Sequence, residues 1–564
     1  MNYPTFLKKI DKIAAGCDAG SLRLFIHEIA RTVPESDRQR FLDQLKHYND
    51  DSCETLTEES GPDHEDLSNQ INRMIEVLNE INDGDRGLDS DYNEEWDDWN
   101  DYSSDEFLFS DPSGVLDDLA LAVSLLHDAF DREEYEKGAD LAQILSELTV
   151  AVSGEYDDTM NLRNLVNYDL LDIDMSQTVR EAVYLAYMGT REPECAGAML
   201  SIIYNFRDYS VRLEDILQMG QEKIDLDALL PSWIEELAAS PDTKTDSLLT
   251  EALDMLQDKQ AILDYASRYA ESHPVIYQNI LQKGLKDTSP EEMLQIGLQG
   301  MRSVPVTHKT RNDISLLTAG YALKTKNIHT AENCWLEAFR SSPTVVNYLR
   351  LRLQSQSWEK YAQTARAIYM SYKGFQNQWD NRSLAVIMFF DARFEEMMEK
   401  FMKPGNGIGW SSTFMKEGIS LMLMLLNTGS ADRPGMAAMR EKAFVTCSFS
   451  ANEYCLGTDL ISGASDRAFF QECFEKWKSQ IILPDNTYEL WMKRIEQWTE
   501  VRVSAIMSAN RRNYYGECAA FIAAAGEVQD DRKQGSKNLL MQQYKAGYSR
   551  RRAFHDELRR YGMK

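Results

Sequence analysis

Apolar residues recur along most of the chain at the three- and four-residue spacing of an amphipathic helix. Phe6, Ile10 and Ile13 share one face, and Leu22, Phe25, Ile26 and Ile29 share a second. Phe41, Leu42 and Leu45 follow Ser36-Asp37-Arg38-Gln39, which has the spacing of a capping box. Together these predict a three-helix unit over residues 1–50. A helix is expected over Leu67–Ile81, and two stripes, Leu116 to Leu126 and Ala139 to Leu148, predict a helical hairpin across the polar DREEYEKG turn. Further helix starts are expected at Ser232-Trp233-Ile234-Glu235, behind Pro231, and at Ser289-Pro290-Glu291-Glu292. No alternating run is long enough to predict a sheet, so the expected class is all-α.

A period emerges between residues 260 and 403. Ala331, Trp335, Ala338 and Pro343 follow one another at spacings of four, three and five, and Ala319 lies twelve residues ahead of Ala331. The register recurs at Ile262, Gly297, Ala331, Ala365 and Met398, in steps of 35, 34, 34 and 33. This stretch resembles a tetratricopeptide array, in which a small residue lets paired helices approach and a proline ends the hairpin. The resemblance implies an α-solenoid. It departs from the family pattern at Ala322, where a tyrosine is usual. The C-terminal run, with Tyr515, Cys518, Ala519, Tyr544, Tyr548 and the SRRRAF helix start at Ser549–Phe554, is similar to the helical tails of bacterial SWIM zinc-finger proteins, although the CxC and CxH ligand pairs of a finger are absent. The expected organisation is a helical unit (1–50), an acidic segment with one helix (51–111), an acidic helical region (112–259), the repeats (260–403) and a helical region with a basic tail (404–564).

Charge adds a polarity to this picture. Of 60 Lys and Arg and 91 Asp and Glu, residues 1–260 hold 20 and 59, whereas residues 261–564 hold 40 and 32. The first part therefore carries −39 and the rest +8. Between Asp83 and Asp111 Arg86 is the single cation among twelve acids, which predicts an extended or disordered segment. Eight cysteines with no CxxC pair, and charges throughout the first 15 residues, fit reduced thiols in a cytoplasmic protein. The longest apolar runs, Leu384–Phe390 and Ile419–Leu426, fall well short of the roughly 20 residues that span a bilayer.

No constellation of catalytic, cofactor-binding or metal-binding residues stands out. His329 and Cys334 lie five apart inside the repeats. Asp83, Asp85, Asp89, Asp91 and Glu94 match an EF-hand count, but Leu88 occupies the position that requires glycine. GNGIGWSS at Gly405–Ser412 lacks the dinucleotide-binding spacing and reads as a loop. The expected function is a non-enzymatic scaffold or adaptor. Its groove would be lined by Leu316, Tyr321, Lys324, Tyr348, Arg350 and Arg352 and would hold an acidic protein or peptide, with residues 83–111 as an internal competitor. One alternative is a nucleic-acid-associated protein using Arg550, Arg551, Arg552, Arg559 and Arg560, with Tyr544, Tyr548, Phe554 and Tyr561 either stacking on bases or forming the apolar stripe of a capping helix. Another is an acidic mimic of nucleic acid.

Overall fold

The computed structural model describes residues 66–92, 107–154, 158–220, 223–240, 243–256, 258–376, 381–463 and 465–564. The expected three-helix unit over residues 1–50 lies outside them. Contacts divide the chain into residues 1–69 and residues 70–564. Among the described residues the chain forms 26 α-helices and a four-stranded sheet.

The chain is mostly helical, as the all-α expectation has it, and one small sheet adds to that picture. Helix α1 (Leu67–Asn82) leads into β1 (Gly87–Tyr92), and β2 (Phe107–Ser110) precedes helices α2 (Val115–Asp131) and α3 (Tyr135–Ser146). Strands β3 (Val150–Gly154) and β4 (Asp158–Met160) complete the order β2-β1-β3-β4. β1 runs antiparallel to β2, pairing Tyr92 with Phe107, and parallel to β3, pairing Leu88 with Val152. In β1, Leu88 and Ser90 point inward and Asp89 and Asp91 outward, so two of the acids that suggested an extended or disordered segment occupy the wet face of a strand, while those from Glu94 to Glu106 lie outside the described residues. With strands of only three to six residues, the alternation never runs long enough to be read. Arg86 joins sheet to helix, pairing with Asp118 at 2.5 Å and donating to the Ser113 carbonyl at 2.6 Å. The Asp111 carboxylate caps α2 by accepting from the Val115 and Leu116 amides at 2.9 and 2.8 Å.

Helices α4 (Leu162–Asn167), α5 (Met175–Gly189), α6 (Cys195–Phe206), α7 (Leu213–Gly220), α8 (Leu226–Ala239) and α9 (Asp246–Met255) follow. α8 starts well before Ser232. Asp225 caps it by accepting from the Ala228 amide at 3.1 Å, and Pro231 sits inside the helix. After α10 (Lys259–Arg268), His273 ties this region together. It is fully buried, with Nδ1 2.7 Å from Asp246 Oδ1 and Nε2 2.7 Å from the Ser240 carbonyl. Both neighbours are acceptors, so both ring nitrogens must carry protons for both bonds to form. Burial alone would lower the pKa of His273, but the hydrogen bond and charge of Asp246, with the backbone carbonyls, raise it. A raised folded-state pKa contributes stability below the unfolded value of about 6.5, and that stability is lost as pH rises through the folded value. The native chain is therefore expected to lose more stability between about pH 6 and about pH 8.5 than a His273→Gln variant. Parallel melting curves check this, and equal losses would refute it.

Helices α11 (Val275–Lys283), α12 (Pro290–Ser303), α13 (Thr310–Lys324), α14 (Ile328–Ser341), α15 (Val345–Gln354), α16 (Trp358–Ser371), α17 (Asn381–Phe390) and α18 (Phe394–Phe401) continue the chain. From α11 to α16 each packs on the next, while α11 also meets α13, α14 meets α16 and α15 meets α17. The expected capping box opens α12. Ser289 Oγ accepts from the Glu292 amide at 3.2 Å, and Glu292 Oε2 accepts from the Ser289 amide at 3.1 Å. Ile262, Gly297, Ala331, Ala365 and Met398 all lie on buried faces.

The remaining helices are α19 (Met415–Leu426), α20 (Pro434–Cys447), α21 (Ala451–Cys455), α22 (Asp466–Lys478), α23 (Thr487–Ser508), α24 (Tyr515–Asp530), α25 (Ser536–Gly547) and α26 (Arg552–Arg560). α24 packs against α19, α20, α23, α25 and α26, and Cys518 to Val528 are all buried. Its small residues permit this. Ala524 meets Gly435 of α20 so closely that a Cβ on Gly435 would clash with α24 backbone. Another core joins Phe389, Phe390 and Phe394 to Phe474 and Trp477, whose indole donates to the Phe390 carbonyl at 2.8 Å. The apolar run of α19 is buried throughout. No described helix is long and apolar enough to cross a membrane.

Candidate interaction surfaces

Helical spacing gives α15 two working faces. Asn347, Arg350 and Gln354 point one way, and Tyr348 and Arg352 another. The first face is covered by the chain's own residues 451–457. Arg350, fully buried, donates Nε to the Tyr454 carbonyl at 3.0 Å, and its Nη groups reach the Glu453 carbonyl and Asn347 Oδ1. A guanidinium thus satisfies the last carbonyls of α21, where the helix dipole is negative. Burial brings its pKa down to about 10, which leaves it charged at neutral pH. Gln354 donates to the Tyr454 hydroxyl at 2.8 Å, and the Trp335 indole donates to the Gly457 carbonyl at 2.7 Å. Gly457, at φ +72°, lies against Leu316 backbone.

This arrangement revises the expected groove. Leu316, Tyr348 and Arg350 are buried and present no surface to a partner. Lys324 is exposed, with Nζ 4.6 Å from the ring centroid of half-buried Tyr321, whose hydroxyl donates to the Leu281 carbonyl at 3.1 Å. Arg352 is half-buried, 4.8 Å above Trp358. Asp391 accepts from the Tyr348 and Tyr369 hydroxyls at 2.9 and 2.7 Å and from Arg366 Nε at 2.9 Å. Burial, then Asp391, raises the Tyr348 pKa, and burial pushes Tyr369 up to about 12. With both hydroxyls protonated and donating, and Arg366 beside them, three donors converge on the Asp391 carboxylate and the network positions helices.

The remaining candidates fall into structural roles. His329 is exposed, whereas Cys334 is buried with Sγ 3.7 Å from Met301 Sδ. All six described cysteines are buried and unpaired, and burial pushes Cys334, Cys473 and Cys518 up to about 12, which suppresses the reactive thiolate. No group of three or more His, Cys, Asp or Glu among the described residues could hold a metal ion. Asp89 and Asp91 lie in a strand, which breaks the EF-hand count. Glu94 lies outside the described residues. In the glycine cluster, Gly407 and Ile408 offer carbonyls to Arg502 at 2.7 and 2.8 Å, so this loop faces a cation rather than a phosphate. Arg502 is itself buried and paired with Glu517 at 2.8 Å.

In the basic tail, Arg551 donates to the Met507 carbonyl at 2.9 Å and to Asn510, and Arg559 and Arg560 pair with Asp556 and Glu557 at 2.5 and 3.8 Å. Arg550 and Arg552 are exposed. Phe554 is buried against Tyr515 and Tyr548, and Tyr544, Tyr548 and Tyr561 pack against the same core. Of the two readings of these aromatics, the apolar stripe is the one observed. No family model matches the chain, and a search of curated proteins finds no significant match.

Proposed function

We propose that the chain is a non-enzymatic scaffold in which α10–α18 form a helical-hairpin array of the tetratricopeptide kind that holds an acidic protein or peptide. The supporting observation is the close crossing of successive helices at the periodic positions. A Cβ on Gly297 would collide with the Thr318 side chain of the next helix, and Ala331 and Ala365 are fully buried at the equivalent steps. Such an array spends its sequence on surface rather than on a reaction centre. With Leu316, Tyr348 and Arg350 covered, the partner face shrinks to Tyr321, Lys324 and Arg352.

Charge reversal tests this in the full chain. Proteins captured from extract by the native chain should be lost with Lys324→Glu plus Arg352→Glu and kept with Arg550→Glu plus Arg552→Glu; an unchanged set in both variants would overturn the reading. A second reading, nucleic-acid contact, rests on exposed Arg550 and Arg552 alone, since the aromatics point inward. It predicts duplex binding that weakens with salt at a log–log slope of about −0.9 per phosphate contact and disappears with the tail variant.

A further inference from the structure

A strongly charged chain meets a copy of itself with least repulsion where an apolar patch coincides with balanced charge. At −31 overall, this chain needs such a place if it is to self-associate. The loop of residues 479–486, between α22 and α23, supplies the apolar part. Ile482 stands at its tip and, at 95%, is the most exposed large apolar side chain among the described residues. Pro484 and, in the first turn of α23, Leu490 are exposed beside it.

The tip is held out rather than left loose. The Ile481 amide donates to the Lys478 carbonyl and the Thr487 amide to the Pro484 carbonyl, each at 3.0 Å, so the chain is tied on both sides of it. Pro484 restricts the backbone of Leu483, and a branched side chain such as that of Ile482 has few rotamers. A fixed apolar tip therefore loses little entropy when it is covered. A segment that had only to turn the chain would ordinarily be polar there.

A cleft of about 420 Å³ opens beside the tip, between this loop and the start of α18. Its floor is Phe394 and Trp491, which meet edge to face with centroids 5.0 Å apart. Tip and cleft thus share one patch, the arrangement a two-fold interface requires, since each copy offers what the other receives. The charges around it cancel. Arg393 pairs with Glu396 at 2.9 Å, Arg494 with Glu395 at 2.7 Å and Arg532 with Glu489 at 2.9 Å, and the loop itself carries only Asp485. Such a rim can face its own copy, which the acidic surface ahead of residue 260 cannot.

We propose that two copies of the chain meet here as a weak two-fold dimer, Ile482 of each entering the Phe394–Trp491 cleft of the other. The assignment is independent of the scaffold reading, because a dimer of the purified chain needs no acidic partner and uses neither Tyr321, Lys324 nor Arg352.

Sedimentation velocity of the purified full chain over a concentration series tests it. A contact of one tip and one cleft per copy lies at the small, transient end of interfaces, so a monomer–dimer equilibrium with a Kd of about 10–100 µM is expected. Symmetry makes each substitution count twice, so Ile482→Asp should weaken the dimer about a hundredfold or more. Ile482→Met should keep it within about threefold. Leu539→Asp, at an exposed leucine of α25, should leave it unchanged. Circular dichroism melts establish that each variant folds. A dimer that survives Ile482→Asp, one lost equally with Leu539→Asp, or growth beyond the dimer would each overturn the proposal. So would a chain monomeric at every concentration, which would leave the patch to an apolar segment of a different protein.

Discussion

Replacing Arg350 with methionine is expected to free residues 451–457 from α15 and to cost about 3–5 kcal/mol. Methionine fills much of the same volume but donates nothing. The Glu453 and Tyr454 carbonyls would then be buried without a donor, and Asn347 would lose its partner. Arg350→Lys should recover only part of the loss, since an ammonium cannot span the carbonyls and Asn347 as the planar fork does. In a chain of this size a single unfolding free energy is poorly defined. Amide hydrogen exchange across α21 is the better measurement. A loss of this size should speed exchange there by about a hundredfold or more. Exchange no faster than in the native chain would show that the guanidinium does not clamp α21.

Glu527→Ala should be comparably damaging, by about 3–5 kcal/mol, for a different reason. Helix α20 begins at Pro434, so its first orphan amides are those of Gly435 and Met436. Both are capped from outside the helix. Glu527, 1% exposed on α24, accepts from them at 3.0 and 2.7 Å and pairs with Lys537 at 2.6 Å. Alanine would strand two buried amides and a largely buried ammonium. Glu527→Gln keeps an acceptor for the amides while giving up the charge, so it should fall between the two. Thermal melting together with exchange at Gly435 and Met436 checks the order. A glutamine variant as damaged as the alanine one would place the whole effect in the ion pair.

Both contacts explain what could and could not be read from the chain. Helices whose signals are local were legible: the α2–α3 hairpin from its stripes and the start of α12 from its capping box. α8 was misplaced because Pro231 resembles a start signal, whereas Asp225 supplies the cap and the helix tolerates the ring. The sheet was missed because its alternation is divided among strands too short to register. The groove residues misled for a further reason. Tyr348 and Arg350 have the composition of a surface, but a segment about a hundred residues downstream makes Arg350 interior, and the rings of Phe339, Trp358 and Tyr369 with the Asp391 carboxylate enclose Tyr348. Helical spacing gives the face a side chain points to, not what covers that face.

The pairing of Tyr92 with Phe107 has a consequence for the acidic stretch between them. The chain leaves the sheet at Tyr92 and re-enters it at Phe107, and these two residues face each other across β1 and β2. The entropy of closing a loop grows only logarithmically, at about 0.6 kcal/mol for each doubling of length. Doubling the number of residues that join β1 to β2 is therefore expected to change the cost of bringing Tyr92 and Phe107 together by less than about 1 kcal/mol, so the pairing of the two strands sets their register without setting the length of what connects them.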